Sequence, residues 1–139
     1  MCGHGTLHGM NPIARLGPAR LVALAQGLYY LVSGIWPLVS IRTFELVTGP
    51  KLDRWLVKTV GALAAAIGAV LFVRSVTGGR SAPDPVLGIA TAAAFAAVDV
   101  NYVARRRISP VYLADAAAQV ALIAGWAASR VASRTAATE

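Results

Sequence analysis

VLGIATAAAFAAVDVNYVARRRISPVYLADAAAQVALIAGWAASRV, residues 86–131, reads as two apolar helices joined by a tight basic turn. Arg105, Arg106 and Arg107 stop the first run. Ser109-Pro110 then supplies a cap and a proline suited to the first turn of a second helix. Each run is close to the about 20 residues that a membrane-crossing helix needs, which places spans at 86–104 and 111–131. Each also carries an aspartate. Asp99 lies six residues before Arg105 and Asp115 five after Pro110, so at about 1.5 Å rise per residue both sit roughly 8–9 Å in from the shared turn. An ionisable group at bilayer depth is costly and marks a functional site by default.

Working outward, Asp84-Pro85 repeats the cap-plus-proline signature, and the Gly- and Ser-rich stretch 77–83 before it is a connector. Residues 56–76 form another apolar run, in which the pairs Gly61/Ala65 and Ala64/Gly68 would let a neighbouring backbone approach closely. Before it, RTFELVTGPKLDRW (42–55) holds a turn at Thr48-Gly49-Pro50-Lys51, flanked by apolar residues suited to an interface, where the segment would act as a lid. Residues 21–41 give the first span, with Pro37 marking a kink. The reading is an all-α, four-transmembrane-helix bundle with short connectors. A flexible tail covers 1–19, the bundle 20–131 and a polar tail 132–139. Met10 offers an alternative start, and no removable signal peptide is expected.

Composition agrees with this reading. The 139 residues are 57% hydrophobic and 14% charged, with a mean hydropathy of +0.62, whereas a soluble domain carries about 25% charged residues. The length leaves no room for a second domain. Cys2 is the only cysteine, which excludes an internal disulfide and a zinc-finger type of cage. The net charge of +7 comes from Arg and Lys at helix ends, where anionic headgroups hold them. The expected partners are therefore membrane lipids, a second copy of the chain or another membrane protein, and not nucleic acid. Six Lys and Arg on the tails and second connector face seven on the first and third connectors, so charge balance does not orient the chain. The Arg105–Arg107 cluster favours both termini outside.

Helical spacing extends each aspartate into a stripe. Asp99, Tyr102 and Arg106 fall at i, i+3 and i+7, and Tyr112, Asp115 and Gln119 repeat that spacing. Gln26, Tyr30, Ser33, Pro37 and Ser40 draw a polar line on the first helix. Lys58 enters the second span from the same side as the two aspartates. Turned inward, these stripes make a polar pocket opening toward the first and third connectors. The alternative is structural pairing, Asp99 with Arg106 or Asp115 with Lys58.

Cys2, His4, His8 and Met10 are soft and borderline metal ligands, but they lie in a glycine-rich tail, so no metal site and no cofactor is expected. A phosphate-binding glycine loop, a G-x-S-x-G elbow, a C-x-x-C pair and an intramembrane histidine are all missing. The leading functional expectation is thus a non-enzymatic accessory or ligand- and lipid-binding bundle. A proton-coupled small transporter is the alternative, and a lipid-modifying membrane enzyme a weaker one.

WPLVSIRTFELVTGPKLDRWLVKTVG, residues 36–61, resembles a segment of uncharacterised small bacterial four-helix integral membrane proteins, a likeness that covers residues 15–130. It implies the bacterial cytoplasmic membrane and brings no assigned activity. In size and helix count the chain also resembles DoxX-like proteins. It is similar to the small multidrug-resistance transporters in charge balance and in holding an intramembrane carboxylate. Theirs lies in the first helix, which here has no acidic residue.

Overall fold

The computed structural model describes residues 16–77 and 83–137. Among these there are five helices and no strand: α1 (Pro18–Val39), α2 (Ile41–Thr48), α3 (Arg54–Val76), α4 (Pro85–Ala104) and α5 (Tyr112–Thr135). The fold is all-helical, as expected. Three helices, α1, α3 and α4, are long and apolar enough to cross a membrane. The fourth expected span corresponds to α5, which has the length, 24 residues. Asp115, Gln119, Arg130 and Arg134 make it more polar than the other three. The tail with Cys2, His4, His8 and Met10, and most of the connector before Pro83, lie outside the described residues.

The helix ends follow local chemistry. Asp84 caps α4, its Oδ1 accepting from the Val86 N–H at 2.9 Å with Pro85 in the first turn. Ser40 leaves helical geometry at φ −143°, ψ 89°, which ends α1 two residues before the expected boundary. Its hydroxyl then accepts the Thr43 N–H at 3.4 Å and opens α2. This short helix lies within the segment that the sequence marked only as interfacial.

Glycine decides how α1 meets α3. Gly27 and Gly34 are seven residues apart on α1, as are Gly61 and Gly68 on α3. The antiparallel helices set Gly27 against Gly68 and Gly34 against Gly61. A Cβ at Gly34 would stand 2.5 Å from the Gly61 carbonyl oxygen, and one at Gly61 2.7 Å from that of Gly34. The second crossing is as close, 2.9 Å from Gly27 and 2.8 Å from Gly68. Backbone therefore packs on backbone at two points. The pair Gly61/Ala65 read from the sequence does admit a neighbouring backbone, since a Cβ at Gly34 would also stand 2.6 Å from the Ala65 amide nitrogen. The seven-residue spacing repeats the approach at Gly27 and Gly68, because successive heptad positions stay on the seam between two helices.

The remaining packing is uneven along the bundle. At the end formed by the start of α1 and the close of α5, Ala23, Leu71 and Trp126 make a buried cluster, with Ile67 and Ile89 against it. All four long helices contribute there. Gly88 on α4 leaves room for the Trp126 indole. The closest pairings are α1 with α3 and α4 with α5, whereas α3 and α4 have little direct contact. Large apolar side chains, among them Val32, Leu63, Val98 and Val131, stand exposed on every long helix. Apolar surface of that extent marks contact with lipid or with protein.

The 42–55 segment is folded against the open end. Trp36 Nε1 donates to Thr43 Oγ1 at 2.9 Å and its ring meets Phe44 edge-on. Arg54 donates to both carboxylate oxygens of Glu45, each at 2.9 Å. Lys51 Nζ donates to the Thr48 carbonyl at 3.0 Å and sits 4.8 Å from the centroid of the Tyr112 ring. Leu46, at 84% exposure, and the equally bare Leu52 face outward. The Arg54 guanidinium holds the Glu45 carboxyl below its ordinary value of 4.5. A group whose folded value is depressed stabilises the fold above its unfolded value, and that contribution is lost as the pH falls through the folded one. Glu45→Gln is therefore expected to lower the melting temperature slightly at neutral pH, and the difference should shrink as the pH falls below 4.5 and vanish once it has passed the depressed folded value. A difference that persists undiminished in acid would mean that the ion pair does not hold the segment.

Candidate functional site

Because α3 and α4 diverge, a cavity of about 530 Å³ opens between them at the connector end. Pro37, Phe44, Val57, Val60, Phe95 and Val98 give it apolar walls. Val60 and Val98 line it and remain about half exposed, so the cavity opens sideways between the two helices. The α2 segment closes its end through Phe44, Thr48 and Lys51.

The polar side chains converge on one spot. Asp99 on α4 and Asp115 on α5 sit at matching depth on antiparallel neighbours and both line the cavity. Their carboxyls approach the one cavity from neighbouring helices. Their surroundings differ. Asp115 Oδ1 accepts from the Tyr29 hydroxyl and from Gln119 Nε2, the latter at 3.1 Å. Asp99 is 5% exposed, and its Oδ2 is buried with no hydrogen-bond partner. Two ionised carboxylates facing one largely apolar cavity repel, and a proton or a lodged cation removes the repulsion.

Behind Asp115 runs a line of buried donors. Trp126 Nε1 donates to Gln26 Oε1 at 2.7 Å. Gln26 Nε2 donates to the Tyr30 hydroxyl at 3.1 Å and to the Gly88 carbonyl at 2.8 Å. The Tyr30 hydroxyl donates to Gln119 Oε1 at 2.8 Å, and Gln119 passes on to Asp115. Each of the four side chains, Trp126, Gln26, Tyr30 and Gln119, donates one N–H or O–H along the line toward the carboxylate. Aligned hydrogen bonds polarise one another in a low-dielectric interior.

Of the residues singled out from the sequence, Asp99, Asp115, Tyr112, Gln119, Tyr30 and Ser33 line the cavity. Gln26 is buried just beyond it and joins α1, α4 and α5. Lys58, Tyr102 and Arg106 are exposed and outside it. On α3 the cavity face runs through Val57, Val60, Gly61 and Ala64, which turns Lys58 away. Arg106 sits in the turn after α4 at φ 55°, off the helix that would have carried it beside Asp99. Neither structural pairing weighed above forms; the ion pair among the described residues is Arg54–Glu45.

Tyr29, Lys51, Phe95 and Trp126 belong to the site or its support and were not read from the sequence. Gln26, Tyr29 and Ser33 follow the same i, i+3, i+7 spacing as the aspartate stripes, so Tyr29 had a readable signal. Lys51 had none, since its position depends on how α2 folds back. Among the described residues no three metal-ligating side chains come together.

No family model, curated protein or solved structure matches the chain.

Proposed function

We propose that the protein is a four-span integral membrane protein that binds a small amphiphile in the cavity between α3 and α4. The observation that carries this reading is Asp99, a buried carboxyl with an unpartnered oxygen on an otherwise apolar wall. An oxygen acceptor left without a donor in an apolar interior costs free energy unless a ligand supplies one. A volume of about 530 Å³ suits a small molecule. The sideways opening gives a membrane-dissolved ligand direct access.

The fourth span is supported by the way α5 hides its polar groups. Asp115 faces the cavity, and Gln119 and Ser129 are buried, while Leu113, Val120 and Val131 are exposed. An inward polar stripe with an apolar outer face is the pattern expected of a helix packed in a bilayer. A non-enzymatic role is preferred because, among the described residues, Ser33 and Thr48 are bonded to backbone carbonyls, Tyr30 to Gln119 and Tyr29 to the Asp115 carboxylate, which leaves no aliphatic hydroxyl beside a base that would activate it.

The test is photolabelling in membranes with a neutral single-chain amphiphile bearing a diazirine, followed by peptide mapping. Label is expected on α3 around Val57–Ala64 and on α4 around Phe95–Asp99. Val60→Trp, which fills the half-exposed wall without touching the buried core, should reduce that label several-fold. Equal labelling of wild type and variant would overturn the reading.

A further inference from the structure

The carboxyl pair also selects a headgroup, which deepens the binding reading above and rests on it. Among the described residues no Lys or Arg is ion-paired with Asp99 or Asp115. The cation lining the cavity, Lys51, is engaged at its end wall, on the Thr48 carbonyl and over the Tyr112 ring. The pair therefore has negative charge to offer and no resident cation on it. Asp115 has its two donors from Tyr29 and Gln119, whereas Asp99 Oδ2 has none. The carboxyl torsion of an aspartate is broad, so this oxygen can turn toward an occupant. Tyr29 and Phe95 line the same cavity, and aromatic rings beside a site favour a cation there.

We propose that the ligand is a single-chain amphiphile with a primary ammonium head, its N–H groups on Asp99 and Asp115 and its chain against the apolar walls. Three features separate this head from its competitors. A hydroxyl would satisfy Oδ2 but leave the charge of the pair uncompensated. A quaternary ammonium would compensate charge but bring no N–H to the empty oxygen. An anionic head meets two carboxyls and is repelled.

The experiment uses the intact protein in phosphatidylcholine nanodiscs with tritiated dodecylammonium as probe. Dodecyltrimethylammonium, dodecanol and dodecyl sulfate compete at equal membrane-bound concentrations. Saturable binding is expected, with unlabelled dodecylammonium displacing the probe at a concentration at least tenfold below that needed of the quaternary amine or the alcohol. That ratio corresponds to about 1.4 kcal/mol. Dodecyl sulfate should not displace it. If the quaternary amine or the alcohol competes as well as the primary amine, the headgroup assignment is overturned, while a saturable site for amphiphiles remains. Absence of saturable probe binding overturns the assignment too, and the photolabelling contrast with Val60→Trp then reports separately whether the cavity binds amphiphiles. Asp99→Asn should abolish the discrimination between primary and quaternary amines. Should that variant fail to fold, the wild-type competition series decides alone.

Discussion

Leucine at Gly61 is expected to separate α3 from α1 and leave little folded protein. A Cβ alone at this position meets the Gly34 carbonyl oxygen at 2.7 Å and Pro37 Cγ at 2.9 Å. Neither obstacle is the free end of a flexible side chain, so the helices themselves must move apart. Gly61→Ala should cost about 1–3 kcal/mol, the usual range for overpacking, and leucine considerably more. The control is Gly125→Ala, whose new methyl would meet Val22 Cγ2 at 3.3 Å, a side chain able to rotate. Unfolding in mixed micelles of increasing sodium dodecyl sulfate, followed by circular dichroism, ranks the three variants. If Gly61→Leu unfolds at the same detergent fraction as Gly125→Ala, the glycine crossings are not what holds α1 to α3.

Gln26→Leu is the second large effect. Gln26 is completely buried and bonds groups on three helices. Leucine matches it roughly in size, so the loss is polar rather than steric. The Gly88 carbonyl keeps a bond from Thr91 Oγ1 at 3.1 Å, and the Tyr30 hydroxyl still donates to Gln119. The Trp126 N–H, in contrast, loses its acceptor inside the core. A hydrogen bond between helices in a membrane is worth only about 0.6 kcal/mol on average, but an orphaned buried donor costs about 1–3 kcal/mol. The orphan sets the expected loss, and adding Trp126→Phe should recover part of it by removing the stranded donor. The same detergent titration reads the cycle. A double variant no more stable than Gln26→Leu alone would assign the loss to packing.

Helix positions were largely legible from the sequence, because long apolar runs broken by cap-and-proline signals at Asp84-Pro85 and by the arginine turn carry strong information. The meeting of Asp99 and Asp115 was legible for the same reason. Two antiparallel helices sharing a short turn fix the relative depth of their residues, whatever their rotation. Rotation was the weak point. Tyr102 and Lys58 lay at the right height and on the wrong face, since an i, i+3 step leaves some 60° between side chains on a helix of 3.6 residues per turn. The heptad pairing of Gly27 with Gly68 and Gly34 with Gly61 needed the register between two helices that adjoin neither through a short turn nor through a shared motif. The helix α2 was hidden by its length, because eight residues are too few for periodicity to stand out.

The uneven packing has a mechanical consequence. The four long helices share the Ala23–Leu71–Trp126 cluster at one end, while α3 and α4 have little direct contact across the cavity that Asp99 and Asp115 line, like the prongs of tweezers fixed at the hinge. Displacement grows with distance from the fixed point. Over the roughly 21 Å between the level of Trp126 and the level of Tyr112, at about 1.5 Å per residue, a tilt of about 5° carries the prong tips close to 2 Å. That is a large change for the gap between α3 and α4 and a small one for the side chains at the hinge. The gap can therefore change width while the core keeps its contacts, and the Glu45–Arg54 and Lys51–Tyr112 contacts lie at the end where such movement is amplified.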